Sequence, residues 1–265
     1  MFNVLKARWQ QKHRTMIYPD GPAPVLSDRF AGRPVITGRC PKGCSACMDD
    51  CPVDALHRVA DTVALDIGQC LFCRECATIC PQENIVISGN HQLSATRREA
   101  LVVSAGSPAR GEALSGIARK FYRRSLKLRQ VSAGGCNACE ADANVLGTPA
   151  WDMGRFGIQF VASPRHADGL LITGPVTENM RLALEKTYAA VSAPRIVIAC
   201  GACAINGGPY LDHPETHNGA DTLLPVDLYI PGCPPHPLTI LDGLLRLTGR
   251  SVPDWEEDES LKDES

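Results

Sequence analysis

The sequence predicts an α/β protein in which a short, cysteine-rich α+β domain precedes a larger domain built on a mostly parallel sheet. Two observations lead to this prediction. Eight of the 13 cysteines fall within residues 36–92, and from about residue 126 short β-rich segments alternate with helical ones. A chain of 265 residues is long enough for two such domains.

Composition narrows the range of functions. The formal net charge of −2 argues against a nucleic-acid partner. The first residues, MFNVLKARWQQKHRT, lack the apolar core of a secretory signal peptide, so we expect a reducing compartment, where clustered thiols are more often metal ligands than disulfides. No apolar run approaches the roughly 18–20 residues that cross a bilayer. We therefore expect a protein that is soluble or bound peripherally to a membrane.

Five segments are expected along the chain. Residues 1–35 are basic and rich in proline and glycine, which favours an extended arm. Residues 36–92 form the cysteine-rich domain, and residues 93–125 form a linker with some helix. Residues 126–250 form the sheet domain. Residues 251–265 are an acidic tail, which is predicted to be disordered.

The elements of the sheet domain follow from its alternating pattern. The predicted strands are LKLRQVS, IQFVAS, GLLITGPV, RIVIAC and VDLYIP. The predicted helices are EADANVLG, TENMRLALEKTYAAV and PLTILDGLLRLTG. Strands that alternate with helices indicate a parallel sheet that is covered by helices on both faces.

The cysteines of the first domain form two triplets, each followed by a fourth cysteine and a proline. The segment CPKGCSACMDDCP carries Cys40, Cys44, Cys47 and Cys51, and CLFCRECATICP carries Cys70, Cys73, Cys76 and Cys80. Three thiolates on a tight loop bind one cubane, and in two-cluster ferredoxins the fourth binds the other cluster. We therefore assign cluster A to Cys40, Cys44, Cys47 and Cys80, and cluster B to Cys51, Cys70, Cys73 and Cys76.

This region resembles the bacterial-type two-cluster ferredoxins. It departs from them at one point, because three residues rather than two separate Cys40 from Cys44, which lengthens the loop of cluster A. A pair of zinc sites is the alternative, since zinc also binds four cysteines. Zinc modules usually present their thiols as two separated pairs, whereas these cysteines come as triplets with a trailing Cys-Pro.

A second cysteine pair, in GGCNACEAD, needs two further ligands to hold a cubane. Cys136 and Cys139 follow the predicted strand LKLRQVS. Cys203 follows the strand RIVIAC, and Cys233 follows the strand VDLYIP. Because the carboxyl ends of parallel strands meet at one rim of a sheet, we expect these four thiols to lie together. The remaining cysteine, Cys200, falls within an apolar strand and is expected to be a small buried hydrophobe.

Residues from about 118 to 249 are similar to the small, cluster-carrying subunit shared by respiratory complex I and the membrane-associated nickel–iron ([NiFe]) hydrogenases. The matching segments are GGCNACE, RFGIQFVASPRHADGLLITGPVT, ACGACAINGGPY and PVDLYIPGCPP. The split C-N-A-C pair is more similar to the hydrogenases of the formate hydrogenlyase and energy-converting type than to complex I. The resemblance implies that Cys136, Cys139, Cys203 and Cys233 hold the cluster nearest a large subunit.

Together the two resemblances imply a fusion of a ferredoxin-like α+β domain with a flavodoxin-like domain. The implied function is electron transfer through three [4Fe-4S] clusters, with no catalytic residue on this chain. The implied partners are a [NiFe] hydrogenase or complex I-like large subunit, membrane subunits, and an electron-donor subunit or ferredoxin. The implied location is cytoplasmic, on the inner face of the cytoplasmic membrane. The alternative is the equivalent subunit of a complex I-like quinone reductase or of a nickel-free, hydrogenase-related complex.

Two further features remain open. Glu140 directly follows the cysteine pair, where it fits either a proton path near the large subunit or an ordinary first-turn residue favoured by the helix dipole. The basic run from Arg119 to Arg129 fits a partner surface, anionic lipid headgroups or a solvated helix face.

Overall fold

The computed structural model describes residues 2–12, 14–107, 122–250 and 252. The first half contains α1 (Phe2–Gln11), β1 (Pro34–Ile36), α2 (Ala46–Asp49), β2 (Leu56–Val59), β3 (Thr62–Asp66), α3 (Glu75–Ile79), β4 (Ile85–Ile87) and β5 (Val102–Val103). The second half contains β6 (Leu126–Ser132), α4 (Ala138–Val145), β7 (Ile158–Phe160), β8 (Gly169–Thr173), α5 (Glu178–Ala190), β9 (Ile196–Cys200), α6 (Ala202–Asn206), β10 (Leu228–Ile230) and α7 (Pro237–Leu247). No helix within the described ranges is long and apolar enough to cross a membrane.

The second half is built on a five-stranded sheet in the order β10-β9-β8-β6-β7, in which every neighbouring pair is parallel. This confirms the predicted α/β class and is consistent with a flavodoxin-like domain. Every residue of β8 and β9 is buried, as expected for central strands that are covered on both faces. All five predicted strands and all three predicted helices are present, with shorter bounds at most ends.

Alternating residues of the central strands supply two apolar layers. Leu171 and Ile198 face a core that includes α4 and α7, whereas Leu170 and Val197 face a core that includes Leu184 of α5. Helix α7 is the most deeply embedded of the helices in the described ranges, since only Arg246 among its eleven residues is not buried.

The first half forms two small antiparallel sheets, one of β1 and β4 and one in the order β2-β3-β5. It packs on the α5 face of the parallel sheet, because its buried residues Leu65 and Leu101 belong to the same apolar core as Ala204 and Ile205 of α6. The two halves are therefore joined by a continuous core rather than by a free connection.

Residues 93–107 are more ordered than the expected linker. Leu93 and Ala95 are buried, and a 3-10 turn at Arg98–Leu101 leads directly into β5. The amide of Ala95 donates to the carbonyl of Tyr229 at 3.0 Å, and that of Tyr229 donates back at 2.8 Å. This bridge covers part of the exposed edge of β10, and the local composition gave no sign of it. The linker's residues 108–121 lie outside the described ranges.

The arm at residues 1–35 combines helix, extended chain and one buried anchor. Helix α1 has no buried residue, whereas Tyr18 is 1% exposed. The Tyr18 hydroxyl donates to Oδ1 of Asp242 in α7 at 2.8 Å and lies 3.3 Å from Nε2 of His91. Arg246 donates to the same carboxylate through Nε. This polar network ties the arm, the segment after β4 and α7 together.

We predict that His91 makes the protein less stable in mild acid. Burial, aided by Arg246 and His236, lowers the pKa of His91 from 6.5 to about 4. The unfolded chain therefore binds more protons than the folded chain between these values, so stability is lost as the pH falls from about 6.5 towards 4. The melting temperature of the wild type should fall more between about pH 7.5 and pH 5 than that of His91→Gln, as followed by circular dichroism. Parallel pH profiles for the two proteins would contradict this.

Candidate metal centres

Two sets of four cysteines line separate cavities in the first half. One cavity is walled by Val63 and Ile85 and is lined by Cys40, Cys44, Cys47 and Cys80. The other is walled by Leu56, Leu65 and Phe72 and is lined by Cys51, Cys70, Cys73 and Cys76. In each set three thiols come from one motif and the fourth comes from the other. The chain thus brings together the crossed sets that the sequence assigned to clusters A and B.

The thiols of these sets are in surroundings that resist ionisation. Burial raises the pKa of Cys70 to about 12 and that of Cys76 to about 11. Thiols of the same set add to both shifts, and Cys47 of the other set adds to that of Cys76. Burial likewise raises the pKa of Cys47, with Cys80 and Cys40 as the next causes. In their ionised form, four thiolates that line one apolar cavity would be stabilised by a positive centre among them. The donor chemistry fits iron held by sulfur.

Backbone amides point at three of the sulfurs. The amides of Ala55 and Phe72 donate to Sγ of Cys51 and Cys70, each at 3.2 Å, and the amide of Asn84 donates to Sγ of Cys80 at 3.4 Å. Hydrogen bonds to ligand sulfur stabilise its anionic form and are one of the means by which proteins set cluster potentials.

The third set of thiols lies at the carboxyl-end rim of the parallel sheet. Cys136 follows β6 and Cys139 is in the first turn of α4, while Cys203 is in α6 after β9 and Cys233 follows β10. Burial raises the pKa of Cys203 to about 11, and the thiols of Cys233 and Cys136 raise it further. Burial is also the largest cause that raises the pKa of Cys139, and the neighbouring thiol of Cys203 is the second. The thiols of Cys136, Cys139 and Cys233 thus lie near enough to that of Cys203 to interact with it electrostatically.

Two glycines allow the loops of the rim to approach these thiols. Gly201, at φ +94°, links β9 to α6, and a Cβ added to it would lie 2.6 Å from Sγ of Cys139. A Cβ on Gly208, at φ +54°, would lie 2.9 Å from Sγ of Cys203. Both distances are too short for a side chain, so each glycine forms part of the cradle around the thiols.

The side chains of Glu140 and Cys200 are both withdrawn from solvent. Glu140 is 6% exposed and accepts a hydrogen bond from Oγ1 of Thr173, at the end of β8, at 2.6 Å. Its carboxylate is therefore held against the sheet. Cys200 is fully buried in the core beneath α7, and burial raises its pKa well above the usual range. It is thus a buried hydrophobe, as the sequence indicated.

In the part of the chain that the structure describes, no three His, Cys, Asp or Glu side chains have the geometry of a site for a single metal ion. The cysteines line cavities and loops instead of meeting at one point.

We predict that Gly201→Ala disrupts the third set, because the new Cβ displaces Sγ of Cys139 and the backbone is in the left-handed region. Iron per chain after anaerobic purification should fall by about four, the content of one cubane. The matched control is Gly106→Ala, which has a similar φ of +77° but no neighbour within 4 Å of the added Cβ. Equal iron contents in the two variants would contradict the claim that Gly201 must lack a side chain for these thiols to hold a cluster.

Comparison with known proteins gives the family. Residues 136–247 match the family described as "NADH ubiquinone oxidoreductase, 20 Kd subunit". A probable membrane-bound hydrogenase subunit of Pyrococcus furiosus is 43% identical over 126 residues, which cover 48% of this chain and 75% of that protein. Formate hydrogenlyase subunit 7 of Escherichia coli is 43% identical over 130 residues, which cover 49% of this chain and 51% of that protein.

A third relative comes from the respiratory branch. A subunit of the NADH-quinone oxidoreductase of Clostridium beijerinckii is 45% identical over 119 residues, which cover 44% of this chain and 70% of that protein. The matched regions all correspond to about half of this chain. This chain belongs to the family of the 20 kDa subunit of NADH–ubiquinone oxidoreductase, whose members are subunits of oxidoreductase complexes.

Proposed function

We propose that this chain is an electron-transfer subunit in which a two-cluster ferredoxin-like domain is fused to a hydrogenase small-subunit domain. The observation that carries the proposal is the grouping of twelve cysteines into three sets of four, two crossed in the first half and one at the rim of the sheet. Each set matches the ligand number of a cubane. The proposed cofactors are three [4Fe-4S] clusters.

The proposed ligands follow the three sets. Cluster A is held by Cys40, Cys44, Cys47 and Cys80, cluster B by Cys51, Cys70, Cys73 and Cys76, and the third cluster by Cys136, Cys139, Cys203 and Cys233. When bound, a cluster of this kind accepts and releases one electron at a potential set by its surroundings. For the two sets of the first half, the chain's own contribution is to hold the thiolates in apolar cavities and to donate amide hydrogen bonds to three of their sulfurs.

At the junction of the two halves, the loop that carries Cys70 packs against α6, the helix that carries Cys203. A Cβ on Gly68, two residues before Cys70, would lie 3.0 Å from Cγ2 of Ile205, two residues after Cys203. Asp66 at the start of this loop accepts two hydrogen bonds from Arg98, at 2.8 and 2.6 Å, and Asp66 Oδ1 also accepts from the amide of Gly68. This ion pair holds the loop within the first half, on the side where Gly68 packs against Ile205 of α6.

The proposed partner is a [NiFe] large subunit. The split cysteine pair and the names of the hydrogenase relatives support this choice. Cys136 and Cys233 are exposed at the rim, which leaves that side of the third set free to be covered by a large subunit. Membrane subunits and an electron-donor subunit or ferredoxin complete the proposed complex, on the inner face of the cytoplasmic membrane.

A second candidate is the equivalent subunit of a complex I-like quinone reductase or of a nickel-free complex. It is favoured by the 45% identity to the NADH-quinone oxidoreductase relative. Both candidates assign the same electron-transfer role to this chain and differ in the large subunit.

Paired cysteine variants test the crossed ligand sets. Cys40→Ala with Cys80→Ala removes two ligands of one set, so about four of some twelve irons should be lost. Cys40→Ala with Cys51→Ala removes one ligand from each set, so about eight should be lost. If the sets were uncrossed, the Cys40/Cys80 variant would lose about eight irons and the Cys40/Cys51 variant about four. Cys200→Ala is the control and should keep all of the iron, because this thiol lies in the core beneath α7.

Nickel content separates the two candidate functions. The chain would be purified anaerobically from its native host with its partners attached. We predict about one nickel per chain together with hydrogen-dependent dye reduction, because a [NiFe] site holds a single nickel. Full iron and sulfide without nickel would reject the hydrogenase assignment and favour the second candidate.

A further inference from the structure

An arginine-lined cleft lies on the side of the second half that faces the arm. It has a volume of about 580 Å³ and is lined by Pro19, Asp20, Arg123, Arg124, Phe156, Gly249 and Arg250. Three guanidinium groups and one carboxylate therefore face the same space. The excess of positive charge makes the cleft a site for an anion.

The arginines of the cleft have unused donors. Among the residues that the structure describes, no hydrogen bond or ion pair joins Arg123 or Arg124 to another residue. Arg250 donates through Nη2 to the carbonyl of Phe156 at 2.8 Å, which fixes its position. The guanidinium groups of Arg123 and Arg124 are therefore the donors that remain for an oxygen-bearing anion.

The chain itself carries a suitable anion a few residues later in its sequence. Arg250 lines the cleft, and the acidic stretch Asp254, Trp255, Glu256, Glu257, Asp258 and Glu259 begins four residues later. At about 3.3–3.6 Å per residue, the first carboxylates are within reach of the cleft. Because they are tethered to its wall, their effective concentration is of the order of millimolar or more, which favours them over free anions.

We propose that Arg123, Arg124 and Arg250 form a carboxylate-binding cleft whose occupant is the acidic segment 254–259 of the same chain. Guanidinium groups bind carboxylates through paired hydrogen bonds, which suits a cleft that several arginines line. This site is independent of the cysteine sets and of the proposed function.

The test uses a chain that ends at Val252 and a synthetic peptide of residues 253–265. Calorimetry at low salt should show that the peptide binds the shortened chain and binds the full-length chain at least about tenfold more weakly, since the tethered segment competes. Arg123→Gln with Arg124→Gln in the shortened chain should weaken binding by about tenfold, and raised salt should weaken it further.

Three controls accompany this test. Arg181→Gln removes an exposed arginine of α5 and should leave peptide binding unchanged. A peptide with Asn and Gln in place of its acids should not bind. Iron content and circular dichroism should match between each variant and the shortened chain, which shows that the fold is kept.

Two results would overturn the proposal. One is equal binding of the peptide to the full-length and shortened chains, because the cleft would then have no resident segment. The other is binding of inorganic phosphate, but not of the peptide, to the shortened chain in a manner that depends on Arg123 and Arg124. The cleft would then be a site for small anions.

Discussion

The parallel register of four neighbouring strands is the constraint on which the candidate metal centres depend. Because β6, β8, β9 and β10 run in the same direction, the segments that follow β6, β9 and β10 leave the sheet at one rim. Four cysteines from three separate segments lie at this rim. The central strands are buried on both faces, so two apolar layers hold their register. The loops at the rim therefore start from fixed positions.

The junction between the halves extends this constraint to the loop that carries Cys70. A shared apolar core and the backbone bridge between Ala95 and Tyr229 join the halves, and the Arg98–Asp66 ion pair of the first half lies beside them. The Asp66 side chain is nearly buried, so its pairing with Arg98 depends on good geometry to offset desolvation. Gly68 admits Ile205 at a distance that a side chain would prevent. The loop that carries Cys70 is thus positioned by the sheet domain as well as by its own fold.

Much of this arrangement was predictable from local sequence patterns. Strands such as Ile196–Cys200 are continuous apolar runs bounded by turn residues, and the cysteine spacing in each motif is specific. The alternation of strands and helices was enough to place Cys203 and Cys233 at the same rim as Cys136. The burial of Cys200 also followed, because it falls inside a strand rather than after one.

The rest depends on contacts between distant segments, which no local pattern reports. Tyr18 lies in a Pro- and Gly-rich arm, and its burial is explained only by Asp242 of α7. Ala95 is bridged to a strand more than a hundred residues later in the chain. The left-handed conformation of Gly201 matters because the thiol of Cys139 occupies the space of a side chain. The sequence pattern pointed to Gly201 as a residue packed near the thiols, but it could not show that Sγ of Cys139 is the atom it leaves room for.

The most direct test of the central claim is the amount of iron and acid-labile sulfide in the anaerobically purified chain. Three cubanes require about 12 of each per chain, and we expect this result together with little zinc. About four to six zinc ions with no sulfide would contradict the account, because the same cysteines would then be structural zinc ligands with no role in electron transfer.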